Sequence, residues 1–171
     1  MSAAGRGAAG AGPLPPRLIL AGPPGVGPAV VGEALVSHHG FSARYDLDRE
    51  RGVFSRPAHD LYGRSLVGKV LVCTTAKGGI ATSWMLLDMV ERGVAPLAIL
   101  FRATNPVMVQ GAVLAGLPLL HRLTPDPVRA LRSGDRLRVD PAAGTVEVLA
   151  AAGAAGAAGA AGAAGDSERN S

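Results

Sequence analysis

Lys69-Val70-Leu71-Val72-Cys73-Thr74-Thr75-Ala76-Lys77-Gly78-Gly79-Ile80-Ala81-Thr82-Ser83-Trp84-Met85-Leu86-Leu87 is the stretch that decides the fold. Its start, Lys69 to Cys73, is a short continuous apolar run, the pattern of a buried strand. Met85-Leu86-Leu87 with Met89-Val90 has helical spacing, so Trp84 to Arg92 is expected to be a helix, stopped by Gly93 and followed by Pro96. Thr74 to Trp84, between the two, is rich in glycine and hydroxyl side chains. A strand that opens through glycines onto a helix start offers free backbone N–H groups and a favourable dipole to an anion. With Lys77 at the same place, this loop is the candidate contact for a carboxylate or phosphate.

The same alternation continues downstream. Leu97 to Phe101 is another apolar strand, and Asn105-Pro106 opens a helical segment from Val107 to Ala115 that Gly116 and Pro118 end. Leu119 to Leu123 is a short strand and Pro125 to Leu131 a helical turn. Arg136 to Asp140 and Thr145 to Leu149 alternate on either side of Ala143-Gly144, as a β-hairpin does. Upstream, Arg17 to Ala21 and Val30 to Val36 read as strands, and 37–60 as a long polar loop containing a hairpin. The middle is therefore strand–helix–strand–helix–strand, which favours parallel strands with right-handed crossovers, while both ends are β-rich. An α/β domain with a mixed sheet is expected. In such sheets ligands sit at the carboxyl ends of the strands, and 74–84 and 102–106 occupy two adjacent ones.

Composition bounds the rest. Residues 1–16 are rich in Ala, Gly and Pro, and 150–171 open with Ala and Gly at a period of three before a polar end. Such side chains bury too little apolar area to offset chain entropy, so both are expected to be flexible tails around a domain over 17–149. The repeat lacks the proline a collagen helix needs. No secretory leader or membrane-length apolar run is evident, which argues for a cytoplasmic protein without a membrane partner. The net charge of +4 comes from arginines scattered among acids, with three Phe, two Tyr and one Trp for base stacking. Nucleic-acid binding has little support, and an anionic substrate or acidic partner has more.

Other motifs close off alternatives. Gly22-Pro-Pro-Gly-Val-Gly27 imitates a phosphate-binding loop, but Pro28 and Ala29 stand where Lys and Ser/Thr would reach phosphates and magnesium, so a nucleotide site is rejected. Cys73 is the sole cysteine, which excludes an internal disulfide and a cysteine metal site, and a buried thiol is expected. His38, His39 and His121 show no metal spacing, and no metal site is expected in this chain. His59 reads as a structural histidine or a proton donor. Trp84, Met85 and Met89 read as core or interface packing. Thr82 and Ser83 fit helix caps as well as catalytic hydroxyls, and Arg102 and Asn105 fit a carboxylate clamp as well as capping or interface roles.

Gly32 to Ser37, Phe41-Ser42, His59 to Val72, Gly93 to Ile99, Gln110-Gly111-Ala112 and Gly134 to Asp140, in unbroken order over roughly 30–148, resemble the swivel domain or small subunit of aconitase X. The resemblance implies a swivelling β/β/α domain that partners a larger subunit carrying an iron–sulfur cluster. The pair is expected to be a hydro-lyase acting on a small hydroxy acid, as phosphomevalonate and cis-3-hydroxyproline dehydratases of this family do. In such relatives the loop after the strand carries the proton-abstracting serine. Lys77, Gly78 and Ser83 match the family's loop, whereas the position of its Gly-Ser serine falls on Gly79. The resemblance thus implies substrate contacts from Lys77, Gly78, Gly79 and Ser42, with either Thr75, Thr82 or Ser83 as the base in place of the missing serine or a different reaction; Arg102, placed by its position after the strand ending at Phe101, is the further substrate-contact candidate. A non-catalytic binding or regulatory module that kept the fold is the alternative.

Overall fold

The computed structural model describes residues 18–153. Nine strands form in chain order: β1 (Ile19–Ala21), β2 (Val30–Val36), β3 (Leu47–Asp48), β4 (Val53–Phe54), β5 (Lys69–Thr75), β6 (Ala98–Ala103), β7 (Leu119–His121), β8 (Arg136–Asp140) and β9 (Thr145–Ala150). The helices are α1 (Ile80–Glu91), α2 (Pro106–Leu114) and α3 (Pro127–Ala130). Seven strands make one sheet in the order β1-β9-β8-β2-β5-β6-β7, and β3 and β4 pair separately. β2, β5, β6 and β7 run parallel, while β8, β9 and β1 extend the sheet antiparallel. The expected mixed α/β sheet is present.

Strand side chains alternate between the two faces. Leu71, Cys73, Ile99, Phe101 and Leu119 point to one side, where Leu86 and Met89 of α1 and Met108 and Ala112 of α2 meet them. Val70, Val72, Ala98, Leu100 and Leu120 point to the other, against Val128, Leu131, Leu137, Val139 and Val146. The 37–60 loop is less polar in effect than its composition suggests. Phe41, Ala43, Leu47 and Phe54 are buried in the same core as α1 and α2, so the excursion from β2 to β5 is a packed layer around the small β3–β4 hairpin.

Three expectations change. Helix α1 begins at Ile80, four residues before the expected start, so Thr82 and Ser83 lie in its first turn and Gly79 is the N-cap. Short polar residues satisfy helical φ/ψ there because tertiary contacts, not propensity, hold that turn. Trp84 is not core, since it remains 63% exposed. The tail readings for 1–16 and for 154–171 lie outside the described residues, and β9 runs one residue past the expected boundary to Ala150.

Candidate functional site

The end of β5 is held from two sides. On one, residues 39–41 lie along it: the Thr74 N–H donates to His39 O at 3.1 Å, the Phe41 N–H to Thr75 O at 2.9 Å, and the Lys77 N–H to Phe41 O at 2.8 Å. On the other, the Ala76 N–H donates to Ala103 O at 3.2 Å, and Asn105 Nδ2 reaches Ala76 O at 3.5 Å. Asn105 also caps α2, its Oδ1 accepting from the Met108 N–H at 2.9 Å. Chain reversal occurs at Gly78, whose φ of 112° favours glycine, and α1 starts two residues later. Gly79 gives that helix no side-chain cap, and its first turn contains no acidic residue. The positive end of the helix dipole therefore faces outward without an internal counter-charge.

A cleft of about 220 Å³ opens there, lined by Arg44, Tyr45, Gly78, Gly79, Ile80, Ala81 and Thr82. The Arg44 guanidinium lies 5.4 Å from the centre of the Tyr45 ring. Neither residue was singled out in the sequence, because the loop that carries them is distant in the chain and polar like any other. Ser42 stands at the root of the same loop. It is 1% exposed, and its Oγ is buried with no hydrogen-bond partner among the described residues. That hydroxyl is close to the chain reversal: a Cβ on Gly78 would lie 3.7 Å from it. Asp46, fully buried, fixes the loop by accepting the Ser42 N–H at 2.8 Å and pairing with Arg56 at 3.3 Å.

The three hydroxyl candidates sit differently. Thr75 is exposed beside Lys77, and both side chains cross over Gly40. Thr82 lines the cleft, with Oγ1 packed so tightly on Gly78 that any Cβ there would overlap it. Ser83 points the opposite way. Its Oγ donates to Val107 O at 2.8 Å where α1 crosses α2, and Gly111 allows that approach, since a Cβ on it would lie 2.6 Å from Ser83 Cα. Arg102 is engaged by Asp126, the N-cap of α3, at 2.8 Å.

His59 is buried, with Nε2 3.3 Å from Gly40 O and Nδ1 3.2 Å from both the Leu61 N–H and Asp60 Oδ1. Burial pushes its pKa down, against the opposing pull of Asp46, the Gly40 carbonyl and Asp60. His39 joins this group, a proximity invisible in the sequence spacing, and ligand atoms of His39, His59 and Asp60 lie within 4.8 Å of one another. The Asp60 carboxylate is occupied by the Ser37 hydroxyl at 2.6 Å and the His38 N–H at 2.7 Å, so the group works as a hydrogen-bonded brace beneath the 39–41 strip. Cys73 is enclosed in β5, and burial drives its thiol well above the usual range, with Asp60 and Asp46 adding to the shift. Iron–sulfur clusters take several thiolates. One sealed cysteine does not fit a cluster, and this chain's residues do not hold one.

Comparison with known proteins agrees with this arrangement. The phosphomevalonate dehydratase small subunit of Methanopyrus kandleri is 39% identical over 119 residues, covering 70% of this chain and 87% of the relative. That of Pyrococcus horikoshii is 35% identical over 127 residues, covering 74% and 92%. The crystal structure of Thermococcus kodakaraensis aconitase X in its holo-form superposes with a TM-score of 0.72 at 30% identity, over 77% of this chain and 98% of that one. The family described as the aconitase X swivel domain matches residues 19–148, from the first strand of the sheet to the last, and the chain belongs to that family.

Proposed function

We propose that this chain is the small subunit of an aconitase-X-type hydro-lyase. In this reading it lends the 74–84 loop to a site shared with a large subunit that carries an iron–sulfur cluster. The substrate is a small hydroxy acid, and the relatives named as phosphomevalonate dehydratase small subunits point to a phosphorylated one. The observation that carries the reading is the uncapped α1 start, with Lys77 beside it and the unpartnered Ser42 hydroxyl behind Gly78. A carboxylate seated there gains charge-assisted hydrogen bonds where enolate charge would develop as the neighbouring carbon loses its proton. Ile80 and Trp84, 73% and 63% exposed one helical turn apart, and Tyr45 nearby give the cleft an apolar rim suited to a large partner.

Of the three hydroxyls, Thr82 is the one we assign as proton acceptor. It lines the cleft, whereas Ser83 already donates its proton to Val107 O and Thr75 lies over Gly40. Its activation would come from the helix start in which it stands.

The test is co-expression with a cluster-bearing large subunit and an assay of dehydration of phosphomevalonate and unphosphorylated hydroxy acids. Lys77→Ala is expected to lower kcat about 100-fold, the usual cost of one stabilising donor. Thr82→Val is expected to abolish turnover without dissociating the complex. Full activity of both variants in an intact, cluster-loaded complex rules the assignment out. Gly79 favours a second reading, a binding module that retains the fold, because this position provides no hydroxyl at all. An intact complex that binds hydroxy acids but dehydrates none supports that reading instead.

A further inference from the structure

β6 and β7 end side by side, with Phe101 opposite His121 in register. Beyond them the chain turns through Thr104-Asn105-Pro106 into α2 on one strand and through Arg122 on the other. Between the two turns lies a second cleft, about 520 Å³, lined by Thr104, Asn105, Pro106, Val109, Gln110, His121 and Arg122. It is larger than the cleft at Gly78–Thr82 and shares Asn105 with the end of β5. No carboxylate lines it, and its polar groups can all donate: a guanidinium, an amide from Asn105 and from Gln110, an imidazole and a hydroxyl.

Two independent features show that the fold does not optimise this cleft for the chain alone. Thr104 Oγ1 is buried with no hydrogen-bond partner among the described residues, a desolvation that nothing in this chain offsets. Arg122 has a φ of 56°, and it is the sole non-glycine residue with positive φ among the described residues. That left-handed conformation is unfavourable for a long side chain. It is held in place by the Arg122 N–H donating to Arg102 O at 3.3 Å and by the backbone of Gly22, where a Cβ would lie 2.8 Å from Arg122 O. The neighbouring arginine shows the contrast: Arg102 is engaged by Asp126, while Arg122 makes no ion pair among the described residues. Half-buried His121 has its pKa lowered, first by burial and then by the Arg122 charge, so near neutral pH its ring is an uncharged donor beside a cation.

We propose that the cleft between Thr104 and Arg122 is a phosphate subsite that receives the phosphomonoester end of the substrate while its carboxylate end lies at Lys77. This rests on the hydro-lyase reading for the identity of the substrate, but the subsite itself requires only the local chemistry. Arg122 supplies a fork for two phosphate oxygens, and Thr104 Oγ1 gains the partner it lacks. Asn105, which lines this cleft, ties it to the end of β5 through its bond to Ala76 and to the start of α2 through its bond to Met108.

The first arm uses the full chain and inorganic phosphate, with the His121 ring followed by NMR. Bound phosphate is expected to raise the His121 pKa, because it offsets the Arg122 charge and adds a negative one. Arg122→Asn should remove that response, and asparagine tolerates left-handed backbone, so the fold is not at stake. Thr104→Val should weaken it as well, whereas a merely structural orphan would leave it untouched. The exposed Arg132→Gln serves as control. The second arm uses the complex with its large subunit and compares kcat/KM for phosphorylated and unphosphorylated forms of one hydroxy acid. Arg122→Asn is expected to reduce the preference for the phosphorylated form about 10- to 100-fold, the worth of a charge-assisted bidentate contact. A His121 ring indifferent to millimolar phosphate, or a preference unchanged by Arg122→Asn, overturns the subsite while leaving the hydro-lyase reading intact. A ring that responds to phosphate in a complex that dehydrates nothing keeps the subsite and removes that reading.

Discussion

Gly40, four residues beyond β2, and Lys77, two beyond β5, are in contact: a Cβ on Gly40 would lie 2.7 Å from Lys77 Cε and 2.6 Å from Thr75 Oγ1. The absence of a side chain at position 40 is therefore what lets Thr75 and Lys77 lie flat against the 39–41 strip. Gly40→Ala must displace both, and Thr75 O at 2.9 Å blocks the remaining direction. The expected result is a loss of about 1–3 kcal/mol in urea unfolding from overpacking, together with weaker substrate binding in the complex. Unaltered binding at that reduced stability would show that the position of Lys77 over Gly40 is irrelevant to the site.

Gly79→Ser restores a side chain where space is open, since a Cβ there meets nothing within 4 Å. Its φ of −116° and ψ of −153° suit serine, and the position is the N-cap of α1. Serine should raise stability by a few tenths, about 0.3 kcal/mol, over glycine as a cap. The activity readout separates the two functional readings. A gain in turnover far beyond that small stabilisation supports a module that lost its base, and a change within about twofold supports a base already present at Thr82.

Ser83→Ala removes the hydrogen bond from its Oγ to Val107 O, 24 residues away. The carbonyl is left without that donor where α1 and α2 cross, so the expected cost is about 1–2 kcal/mol in chemical denaturation. If Thr82 is the base, kcat in the complex should stay near wild type once the protein is folded. A collapse of kcat with unchanged stability would move the base to Ser83.

The middle of the sheet was legible because each strand and helix there is a local pattern of adequate length: Lys69 to Cys73, Leu97 to Phe101, and the hairpin closing at Ala143-Gly144 all form where expected. The start of α1 was not. Ile80, Thr82 and Ser83 are weak helix formers around Ala81, and what holds that turn in place is the Ser83–Val107 bond and the close approach at Gly111, contacts set by tertiary packing. The same reason hid the engagement of Arg102 by Asp126, the gathering of His39 with His59 and Asp60, and the burial of Ser42. Residues 37–60 read as polar, yet Phe41 and Phe54 anchor them in the core, and that layer supplies Arg44 and Tyr45 to the cleft. The glycine- and hydroxyl-rich junction from β5 into α1 is a local pattern, and so it was visible. Which hydroxyl faces the cleft depends on helix rotation, and so it was not.

Asp60 makes the brace beneath the site sensitive to acid. Burial alone would raise its pKa, but hydrogen bonds from the Ser37 hydroxyl and the His38 N–H, with the His39 and His59 rings nearby, outweigh it and hold the carboxyl below the ordinary aspartate value of 3.8. The folded state thus prefers the ionised form, and between the folded and unfolded values the unfolded chain binds more protons. The resulting stability is fully present above 3.8 and is lost as pH falls through the lower folded value. Asp60→Asn should therefore be less stable than wild type near neutral pH, by an amount that solvent screening of this partly exposed carboxylate keeps modest. The gap between variant and wild type should close in strong acid. Urea unfolding of both proteins across that pH range checks it. A gap that stays constant with pH would mean that Asp60 acts through shape and not through charge. Because the brace supports the strip carrying Gly40, the same acid range should also loosen Lys77, which amide exchange at Phe41 and Lys77 would register as faster opening.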